Sequence, residues 1–375
     1  MKILHLTKKY PDALGGDAFA VLNLELQQRN LGMDVSILTH NCPEVVNKKN
    51  IAKFGLNLPS SQLDKVTVKR LISLLVLPFY GYRYLKQIHP DIIHSHSPDL
   101  GFTISLPARV LGIPVVNTCH GVSFTDNNLS LLKRCAEIFF LKYSGFARII
   151  TVDRTSIAIL QQHGISNVEY IPNGVDPDFW KREDSVVTGN KSKTRFLFVG
   201  RLEEEKGLIY LIEVVRRLKS DREEFIVQFV GDGSLRPHLE KLVDTYGLGD
   251  YIQFKGILHQ KELKKVYNYS DIFILPSLHE GMPLTLLEAW ASGLPVIITK
   301  VGNILDICIN MENAWIIEPG NEIDLHDAML ALSKSGELRN RLGRNGMITV
   351  QKYYSWSSAA QKTVKLYKTV CKVSE

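Results

Sequence analysis

Short apolar runs alternate with longer helical or loop stretches along the first half of the chain. A helical pattern extends from about Ala18 to Asn30, after the first apolar run and a polar loop. An alternation of strands and helices predicts a parallel sheet with helices on both faces. The runs that predict its strands are Lys2 to Leu6, Val35 to Leu38, Ile92 to His94, Val115 to Asn117 and Arg148 to Val152.

A second alternation follows a stretch of turn-forming and polar residues. The turn cluster is Ile171 to Asp176, and Ser185 to Thr194 is polar and irregular, so we place a domain boundary here. We therefore predict two doubly wound α/β units, residues 1–175 and 176–354, followed by an amphipathic helix within residues 355–375. The later runs are Arg195 to Val199, Phe225 to Val230, Ile252 to Gly256, Ile272 to Pro276 and Pro295 to Thr299, with a helix from Gly207 to Lys219.

The composition is typical of a globular protein with two domains. Of the 375 residues, 45% are hydrophobic and 22% are charged. The start of the sequence has no signal-peptide pattern, and no apolar stretch is long enough to span a bilayer. The five cysteines are scattered and lack metal-ligand spacing, which is typical of reduced thiols. We therefore expect a cytoplasmic protein.

The net charge of +6 is concentrated in one segment. Between Glu44 and Pro90 there are eight lysine and arginine residues but only two acidic ones, so this segment carries the whole positive excess. The pattern indicates either an anionic partner surface or a solvated helix face. Within it, Lys65 to Lys86 has cations around an apolar and aromatic centre, which fits a lipid headgroup boundary or a core helix. Pro78 and Gly81 are expected to divide it into two short helices.

Polar residues at the carboxyl ends of strands are the candidates for a binding site, because ligands of open α/β sheets bind there. The strongest group follows the run that ends at Pro276. Pro283 suits the first turn of a helix, which places Glu280 just before the helix and Glu288 in its second turn. Their separation along the axis is then about 8–10 Å, the span from the sugar to the ribose of a nucleotide sugar.

The same helix start offers groups for a diphosphate. The amides near Thr285 and Leu286 are expected to be free, and Gly281 permits close approach of the backbone. The structural alternative is that Glu280 only caps the helix and that Glu288 is solvated. The helix is followed by small residues that lead directly into the next buried strand, and this favours the binding-site interpretation over the structural one.

Two cations form a second candidate group. Arg201 follows Gly200 at the end of one strand, and Lys206 precedes Gly207 at the start of the next helix. Cations at this edge of a sheet can neutralise a diphosphate and the charge that develops on a leaving nucleotide. Surface cations are usually only solvated, but the position between two glycines favours function.

The first half of the chain contributes a glycine and several histidines. Gly16 would let backbone amides approach a phosphate, and His120 follows the strand predicted from Val115. His94 and His96 could suggest a metal site, but the sequence offers no third ligand at a suitable spacing. We therefore predict packing and hydrogen bonding for these two histidines.

These motifs together resemble glycosyltransferase family 4. They are the E-x7-E pattern from Glu280 to Glu288, the run from Gly200 to Gly207, and Asn173 to Asp176. The resemblance extends over nearly the whole chain, and the first two motifs in this order are highly specific. It implies a GT-B fold of two facing Rossmann-like domains. The first domain would bind mainly the acceptor and carry the final helix, and the second would bind mainly the nucleotide sugar.

The resemblance also implies roles for individual residues. Arg201 and Lys206 would hold the donor diphosphate, and Glu288 would hold the ribose hydroxyls. Glu280 would contact the donor sugar, and His120 would touch its hydroxyls near the reaction centre. The implied catalytic residues are His120, Arg201, Lys206 and Glu280, and the implied donor-binding residues are Gly16, Arg201, Lys206, Glu280, Gly281, Met282, Thr285, Leu286 and Glu288.

Members of the family transfer the sugar with retention of configuration and use no metal, so the resemblance implies no cofactor besides the nucleotide-sugar co-substrate. No side chain stands out as a covalent nucleophile, which favours a same-face reaction in which the leaving phosphate helps to deprotonate the acceptor. Two positions depart from the family. Asp306 stands where a glutamate is common, which shortens the carboxylate side chain at that position. Met282 stands where an aromatic residue is common, so we expect a differently shaped donor-sugar pocket.

The sequence thus predicts a retaining, metal-independent hexosyltransferase of bacterial or archaeal cell-surface polysaccharide or glycolipid synthesis. We expect a UDP- or GDP-sugar donor, a glycan or lipid-linked acceptor, an anionic membrane surface at the inner face of the cell membrane, and no nucleic acid. The alternatives are a sugar-nucleotide epimerase on the same fold and a non-catalytic partner subunit. A dehydrogenase is disfavoured, because no G-x-G-x-x-G with a later acidic residue follows a predicted strand.

Overall fold

The computed structural model describes residues 1–10, 16–41, 50–56, 67–121, 130–182, 193–221, 224–302 and 304–372. The chain divides into two compact units. Unit 1 comprises Met1–Asn173 and Trp356–Glu375, and unit 2 comprises Gly174–Ser355. Most of the polar stretch predicted between Ser185 and Thr194 lies outside the described residues, as do three cations of the basic segment, Lys48, Lys49 and Lys65.

Unit 1 is built on a sheet of seven parallel strands in the order β3-β2-β1-β4-β5-β6-β7. The order reverses between β1 and β4, which is the switch point where doubly wound sheets bind ligands. The strands are β1 (Lys2–Lys9), β2 (Asp34–Asn41), β3 (Ile51–Lys53), β4 (Ile92–Ser95), β5 (Val115–Cys119), β6 (Arg148–Thr151) and β7 (Val168–Tyr170). The helices are α1 (Gly16–Asn30), α2 (Val68–Ile88), α3 (Pro98–Val110), α4 (Leu131–Tyr143), α5 (Thr155–Gln162) and, at the end of the chain, α13 (Trp356–Cys371).

Unit 2 has a sheet of six parallel strands in the order β10-β9-β8-β11-β12-β13, with its switch point between β8 and β11. The strands are β8 (Thr194–Val199), β9 (Phe225–Val230), β10 (Ile252–Gly256), β11 (Ile272–Leu275), β12 (Val296–Thr299) and β13 (Trp315–Ile317). The helices are α6 (Pro177–Trp180), α7 (Leu208–Ser220), α8 (Arg236–Thr245), α9 (Gln260–Tyr269), α10 (Leu284–Ala291), α11 (Glu322–Lys334) and α12 (Gly336–Tyr353). The predicted fold class, two doubly wound α/β units, is confirmed.

The central strands are buried over their whole length, which explains why they are continuous apolar runs. All residues of β11 and β12 are buried, and β8 is buried from Phe196 onwards. Strands covered by helices on both faces lack the apolar–polar alternation of half-exposed strands. Helix α7 shows the complementary pattern, since its buried residues recur at helical spacing along one face.

Helix α2 corrects the prediction of two short helices. It is one continuous helix of 21 residues with Pro78 inside it, and Thr67 caps its start by accepting a hydrogen bond from the amide of Arg70. Gly81 is buried, and a Cβ at this position would lie 2.4 Å from Cδ1 of Ile104 on α3. The glycine therefore permits close packing of two helices and does not end the helix.

Helix α13 belongs to unit 1 and packs on α1. Its buried face includes Trp356, Ala360 and Tyr367. Among the described helices, none is both long enough and apolar enough to cross a membrane.

Candidate functional site

In unit 2, the loops that follow β8 and β11 lie against each other at the switch point. The amide of Leu278 donates a hydrogen bond of 2.7 Å to the carbonyl of Glu205. Gly207 has a φ of +64°, and a Cβ there would lie 2.1 Å from the carbonyl oxygen of Pro276. Only glycine fits this approach. It brings Lys206, from the loop after β8, next to Glu280, from the loop after β11.

Lys206 and Glu280 form a largely buried ion pair. The ammonium Nζ of Lys206 lies 2.7 Å from Oε1 of Glu280, and their side chains are 15% and 7% exposed. The hydroxyl of Ser277 donates a second hydrogen bond of 2.6 Å to the same oxygen. Charged hydrogen bonds strengthen when water is excluded, so Glu280 is held in one orientation. Sequence reasoning did not identify Ser277, because a single serine after a strand carries no signal of its own.

The loop after β12 contacts the backbone of Glu280. Gly302 has a φ of +53°, and a Cβ there would lie 1.8 Å from the carbonyl oxygen of Glu280. The hydroxyl of Thr299 also donates to the carbonyl of Ser277 at 2.5 Å. The end of β12 and the loop after it therefore fix the backbone around the carboxylate. Asp306 lies farther along, exposed in the 3-10 turn Ile304–Asp306.

Glu288 lies in the second turn of α10 and is bound by a tyrosine. The hydroxyl of Tyr267, which is fully buried on α9, donates to Oε2 of Glu288 at 3.0 Å. Burial raises the pKa of Glu288 to about 8, although the bond from Tyr267 opposes this shift. Glu288 is therefore not the freely solvated carboxylate of the structural alternative. Tyr267 was missed because it precedes Glu288 by 21 residues on a different helix.

The start of α10 differs from the prediction in two details. Pro283 is the cap residue, and the helix begins at Leu284. The amide of Leu286 donates to the carbonyl of Pro283 at 3.2 Å, so it is not the free donor that was expected. The side chain of Leu286 is buried, as is most of Met282, and the carbonyl oxygen of Thr285 lies 3.3 Å from the hydroxyl oxygen of Tyr267. Gly281 is half-buried.

Arg201 is not part of the buried pair. Its side chain is 67% exposed and is paired with Glu205, four residues later. Glu203 binds the turn after β9 by accepting a hydrogen bond of 3.0 Å from the amide of Ser234. Two of the three glutamates between Gly200 and Gly207 therefore have local partners. Of the two cations that the sequence selected, the structure brings only Lys206 to Glu280.

In unit 1, four histidines gather on or just after the neighbouring strands β1, β4 and β5. His5 on β1 is directly opposite His94 on β4, His96 follows β4, and His120 follows β5. Nitrogens of His5, His94 and His96 lie within 4.8 Å of one another. The prediction that His94 and His96 have no third ligand was wrong, because the parallel pairing of β1 with β4 brings His5 from 89 residues away.

Both ring nitrogens of the three buried histidines, His5, His94 and His96, have hydrogen-bond partners, as predicted for His94 and His96. Nδ1 of His5 lies 2.8 Å from Nε2 of His96, and Nε2 of His94 lies 2.6 Å from the hydroxyl of Thr118. Nδ1 of His94 contacts the hydroxyl of Tyr367 on α13. The arrangement is a hydrogen-bonded cluster in which the rings use their nitrogens to bind each other and their neighbours.

The glycine predicted to approach phosphate, Gly16, is the first residue of α1, and Asp17 follows it in the first turn. The preceding residue, Gly15, lies outside the described residues. At the start of unit 2 the chain also contains the Asp-x-Asp triplet Asp176-Pro177-Asp178, a pattern that can hold a metal. Oδ1 of Asp176 accepts the amides of Asp178 and Phe179 at 3.1 Å, so this carboxylate caps α6.

Two models of known protein families match the chain, one in each half. The model described as Glycosyltransferase Family 4 matches residues 14–179, and the model described as Glycosyl transferases group 1 matches residues 181–348. The two matches together span most of the 375 residues.

Similar proteins include enzymes that transfer sugars. An uncharacterized glycosyltransferase of Methanocaldococcus jannaschii is 24% identical, with 98% of each chain covered. UDP-Gal:alpha-D-GlcNAc-diphosphoundecaprenol alpha-1,3-galactosyltransferase of Escherichia coli is 29% identical over 74% of this chain and 73% of that protein. The structure of HepE from Anabaena in complex with UDP-glucose is similar with a TM-score of 0.81 and 16% identity, over 98% of this chain and all of that one.

Proposed function

Because the chain belongs to glycosyltransferase family 4 and has the GT-B fold, we propose that it is a retaining, metal-independent hexosyltransferase with a UDP- or GDP-sugar donor. The observation that carries the proposal is the buried pair of Lys206 and Glu280 at the switch point of unit 2. A cation and a carboxylate held there provide partners for a phosphate and for sugar hydroxyls.

In this proposal each charged residue of the site contacts a different part of the donor. Lys206 binds the diphosphate, and Glu280 accepts hydrogen bonds from the sugar. Glu288, one helical turn into α10, accepts the ribose hydroxyls. Arg201 is exposed and is bound only to a neighbouring glutamate in the described part of the chain, so it can turn to the diphosphate without breaking a buried contact.

The reaction needs stabilisation of the charge that leaves with the nucleotide. As the bond between the sugar and the diphosphate breaks, negative charge grows on the leaving phosphate, and the ammonium of Lys206 opposes it. The phosphate then accepts the proton of the acceptor hydroxyl, which attacks the same face of the sugar. We propose that His120 contributes a contact with the sugar hydroxyls, as the family resemblance implies.

The proposal has two alternatives, a partner subunit without activity and a sugar-nucleotide epimerase. A partner subunit without activity would have no need of a carboxylate that is buried and oriented by both Lys206 and Ser277. An epimerase on the same fold would return an isomeric nucleotide sugar, whereas a glycosyltransferase releases the nucleotide, so the products distinguish the two. Both alternatives are tested by the same experiment.

The decisive experiment measures slow hydrolysis of UDP-, GDP- and ADP-sugars by the purified chain, with and without EDTA. We expect one nucleotide class to be cleaved to the free sugar, with the same rate when EDTA is present. Release of the α-anomer from an α-linked donor would support retention. Activity that EDTA abolishes and Mg²⁺ or Mn²⁺ restores would contradict the metal-independent proposal, and interconversion of two nucleotide sugars without release would indicate an epimerase.

We further propose that unit 1 attaches to an anionic membrane surface and receives a lipid-linked acceptor. The E. coli relative named above acts on a diphosphoundecaprenol-linked sugar. The exposed apolar face of α2, called here the α2 surface, comprises Val68, Leu71, Ile72, Leu75, Val76, Phe79, Tyr80 and Tyr82. Helix α2 has four basic residues and no acidic one. Apolar side chains flanked by cations fit the headgroup region of anionic lipids.

The helices next to α2 in the packing also expose apolar side chains. Helix α3 packs against both α2 and α4. It exposes Leu106 and Val110, and α4 exposes Leu131, Leu132 and Phe139. Exposed apolar side chains that are grouped on neighbouring helices are typical of a surface that binds a partner or a membrane.

Vesicle co-sedimentation tests the attachment. We expect the chain to sediment with vesicles that contain anionic lipid, to sediment less as salt rises, and to remain in solution with neutral vesicles. Replacing the exposed cations Lys69, Arg83 and Lys86 by glutamate should abolish binding. Arg70 is left unchanged, because it forms a largely buried ion pair with Asp99 on α3 whose loss would disturb folding.

The matched control places the same charge change elsewhere on the protein. Lys241, Lys362 and Lys365 are exposed on α8 and α13, and their replacement by glutamate should leave sedimentation unchanged. Equal recovery of the wild-type chain in the supernatant with neutral and anionic vesicles would refute the attachment. Equal loss in both triple variants would show that only net charge matters.

A further inference from the structure

A line of hydrogen bonds in unit 1 connects the buried end of α1 with His120. Oε1 of Gln28 lies 2.7 Å from Nε2 of His5, and Nδ1 of His5 lies 2.8 Å from Nε2 of His96. Nδ1 of His96 then lies 3.2 Å from Nε2 of His120. Gln28, His5 and His96 are buried, and His120 is the half-exposed end of the line.

The position of each proton along this line follows from its first member. A carbonyl oxygen only accepts hydrogen bonds, so Nε2 of His5 donates to Gln28, and Nδ1 of the same neutral ring accepts. His96 must therefore donate through Nε2 and accept through Nδ1. His120 then donates through Nε2, which leaves the lone pair of its Nδ1 available to another molecule.

Helix α13 holds the amide of Gln28 in the orientation that this order requires. Nε2 of Gln28 donates to the hydroxyl of Tyr367 at 3.3 Å, and that hydroxyl contacts Nδ1 of His94. Because the hydroxyl oxygen accepts from Gln28, its own proton is directed to Nδ1 of His94. His94 is then protonated on Nε2, which donates to Thr118. The 2.7 Å contact between Gln28 and His5 is also typical of an N–H···O bond.

The surroundings keep the four rings neutral. Burial lowers the pKa of His5 to about 4 and holds the pKa values of His94 and His96 well below the usual value. Burial also lowers the pKa of His120, and the carboxylate of Asp17 on α1 opposes this shift only in part. A neutral imidazole carries one proton, as the order of bonds requires.

Two charged residues of α1 act on the inner end of the line, and their effects oppose each other. Glu25 raises the pKa of His5, and Arg29 lowers it, while burial has the largest effect. These two side chains are paired, with Nε of Arg29 at 2.7 Å from Oε1 of Glu25. The inner end therefore has little tendency to take up a second proton.

We propose that His96 is a positioning residue that holds His120 as the neutral tautomer with its proton on Nε2, so that Nδ1 accepts a hydrogen bond from a substrate hydroxyl. The inference rests on the proposed function, in which His120 contacts the sugar. In this state His120 takes part as an acceptor that orients a hydroxyl, and it does not act as a general acid.

The first test needs no substrate and therefore does not depend on the proposed function. Nitrogen-15 NMR of the full chain distinguishes the two neutral tautomers and the cation of each histidine, and the signals of His120 are assigned by their loss in His120→Gln. We expect the tautomer protonated on Nε2 between pH 6.5 and about 8. A tautomer protonated on Nδ1, or titration of His120 near its ordinary pKa of about 6.5, would overturn the proposal.

The second test compares two replacements of His96. Asparagine keeps an acceptor near the position of Nδ1, whereas phenylalanine keeps the ring and removes the acceptor. We expect His96→Phe to give a mixture of His120 tautomers and a kcat at least about tenfold lower, with a much smaller change in KM for the donor. His96→Asn should keep the single tautomer and most of the rate.

The two tests together distinguish a positioning role of His96 from a packing role, and both from a failure of the proposed function. If His96→Phe does not fold, the tautomers of His120 in the wild-type chain and in His96→Asn still test the proposal. Equal loss of kcat in both variants without a change of tautomer would show that His96 only packs, and would overturn the proposal. Absence of any sugar transfer by the wild-type chain would contradict the proposed function, but it would leave the tautomer result standing.

Discussion

Replacing Lys206 by alanine should lower kcat for sugar transfer by at least about tenfold, and by about a hundredfold if the ammonium meets the leaving phosphate directly. The change removes the cation that opposes the developing charge. It also leaves the carboxylate of Glu280, whose side chain is only 7% exposed, without its ion-pair partner. Removing one member of a buried pair costs about 3 kcal/mol of folding free energy, so thermal unfolding must be measured in parallel.

An exposed lysine of unit 2 provides the matched control for this variant. Lys300 pairs with Glu318 at 3.4 Å, and both side chains are at least half exposed. Such surface pairs contribute little, so Lys300→Ala should retain the wild-type rate and stability. A Lys206→Ala variant that folds and transfers sugar at the wild-type rate would remove this pair from the proposed site.

The affinity for the donor should increase as the pH rises from 7 to 9, because the pKa of Glu288 is raised to about 8. The ionised carboxylate accepts hydrogen bonds from ribose hydroxyls with both oxygens, whereas the protonated form has lost part of this capacity. KM for the donor should therefore fall through this range. Glu288→Ala should raise KM by about tenfold to a hundredfold, as expected for hydrogen bonds to a charged group.

Two variants separate this effect from a general response to pH. Glu288→Gln cannot ionise, so its KM should be high and independent of pH. Tyr267→Phe removes the hydrogen bond that lowers the pKa of Glu288, so the fall in KM should move to higher pH. A KM that follows the same pH curve in the wild type and in Glu288→Gln would contradict the assignment of the ribose contact.

The sequence was sufficient to predict the units and most of the long strands. Residues of β8, β11 and β12 are buried on both faces, and their apolar runs stand out in the sequence. The strands β3, β7 and β13 have only three residues each, which is too short for a pattern to appear. The positions of Glu280 and Glu288 around the start of α10 could also be predicted, because a proline and a following apolar run mark a helix start.

Contacts between distant elements could not be predicted from periodicity. His5 looks like one more position of a buried strand until the pairing of β1 with β4 brings it to His94 and His96. The bond from Tyr267 to Glu288 depends in the same way on how α9 packs near α10. Leu286 was expected to offer a free amide, but the turn at Pro283 uses that amide within the backbone. Each of these results is a property of tertiary packing.

The contact between Gly302 and the carbonyl of Glu280 restricts how this region can diverge among related enzymes. Any side chain at position 302 would overlap the backbone of Glu280, so the two loops can change only together. A homologue with a larger residue there must carry the carboxylate that corresponds to Glu280 on a differently routed backbone. The residue at position 302 of a homologue therefore indicates, from its sequence alone, whether its backbone has the same arrangement as the one around Glu280.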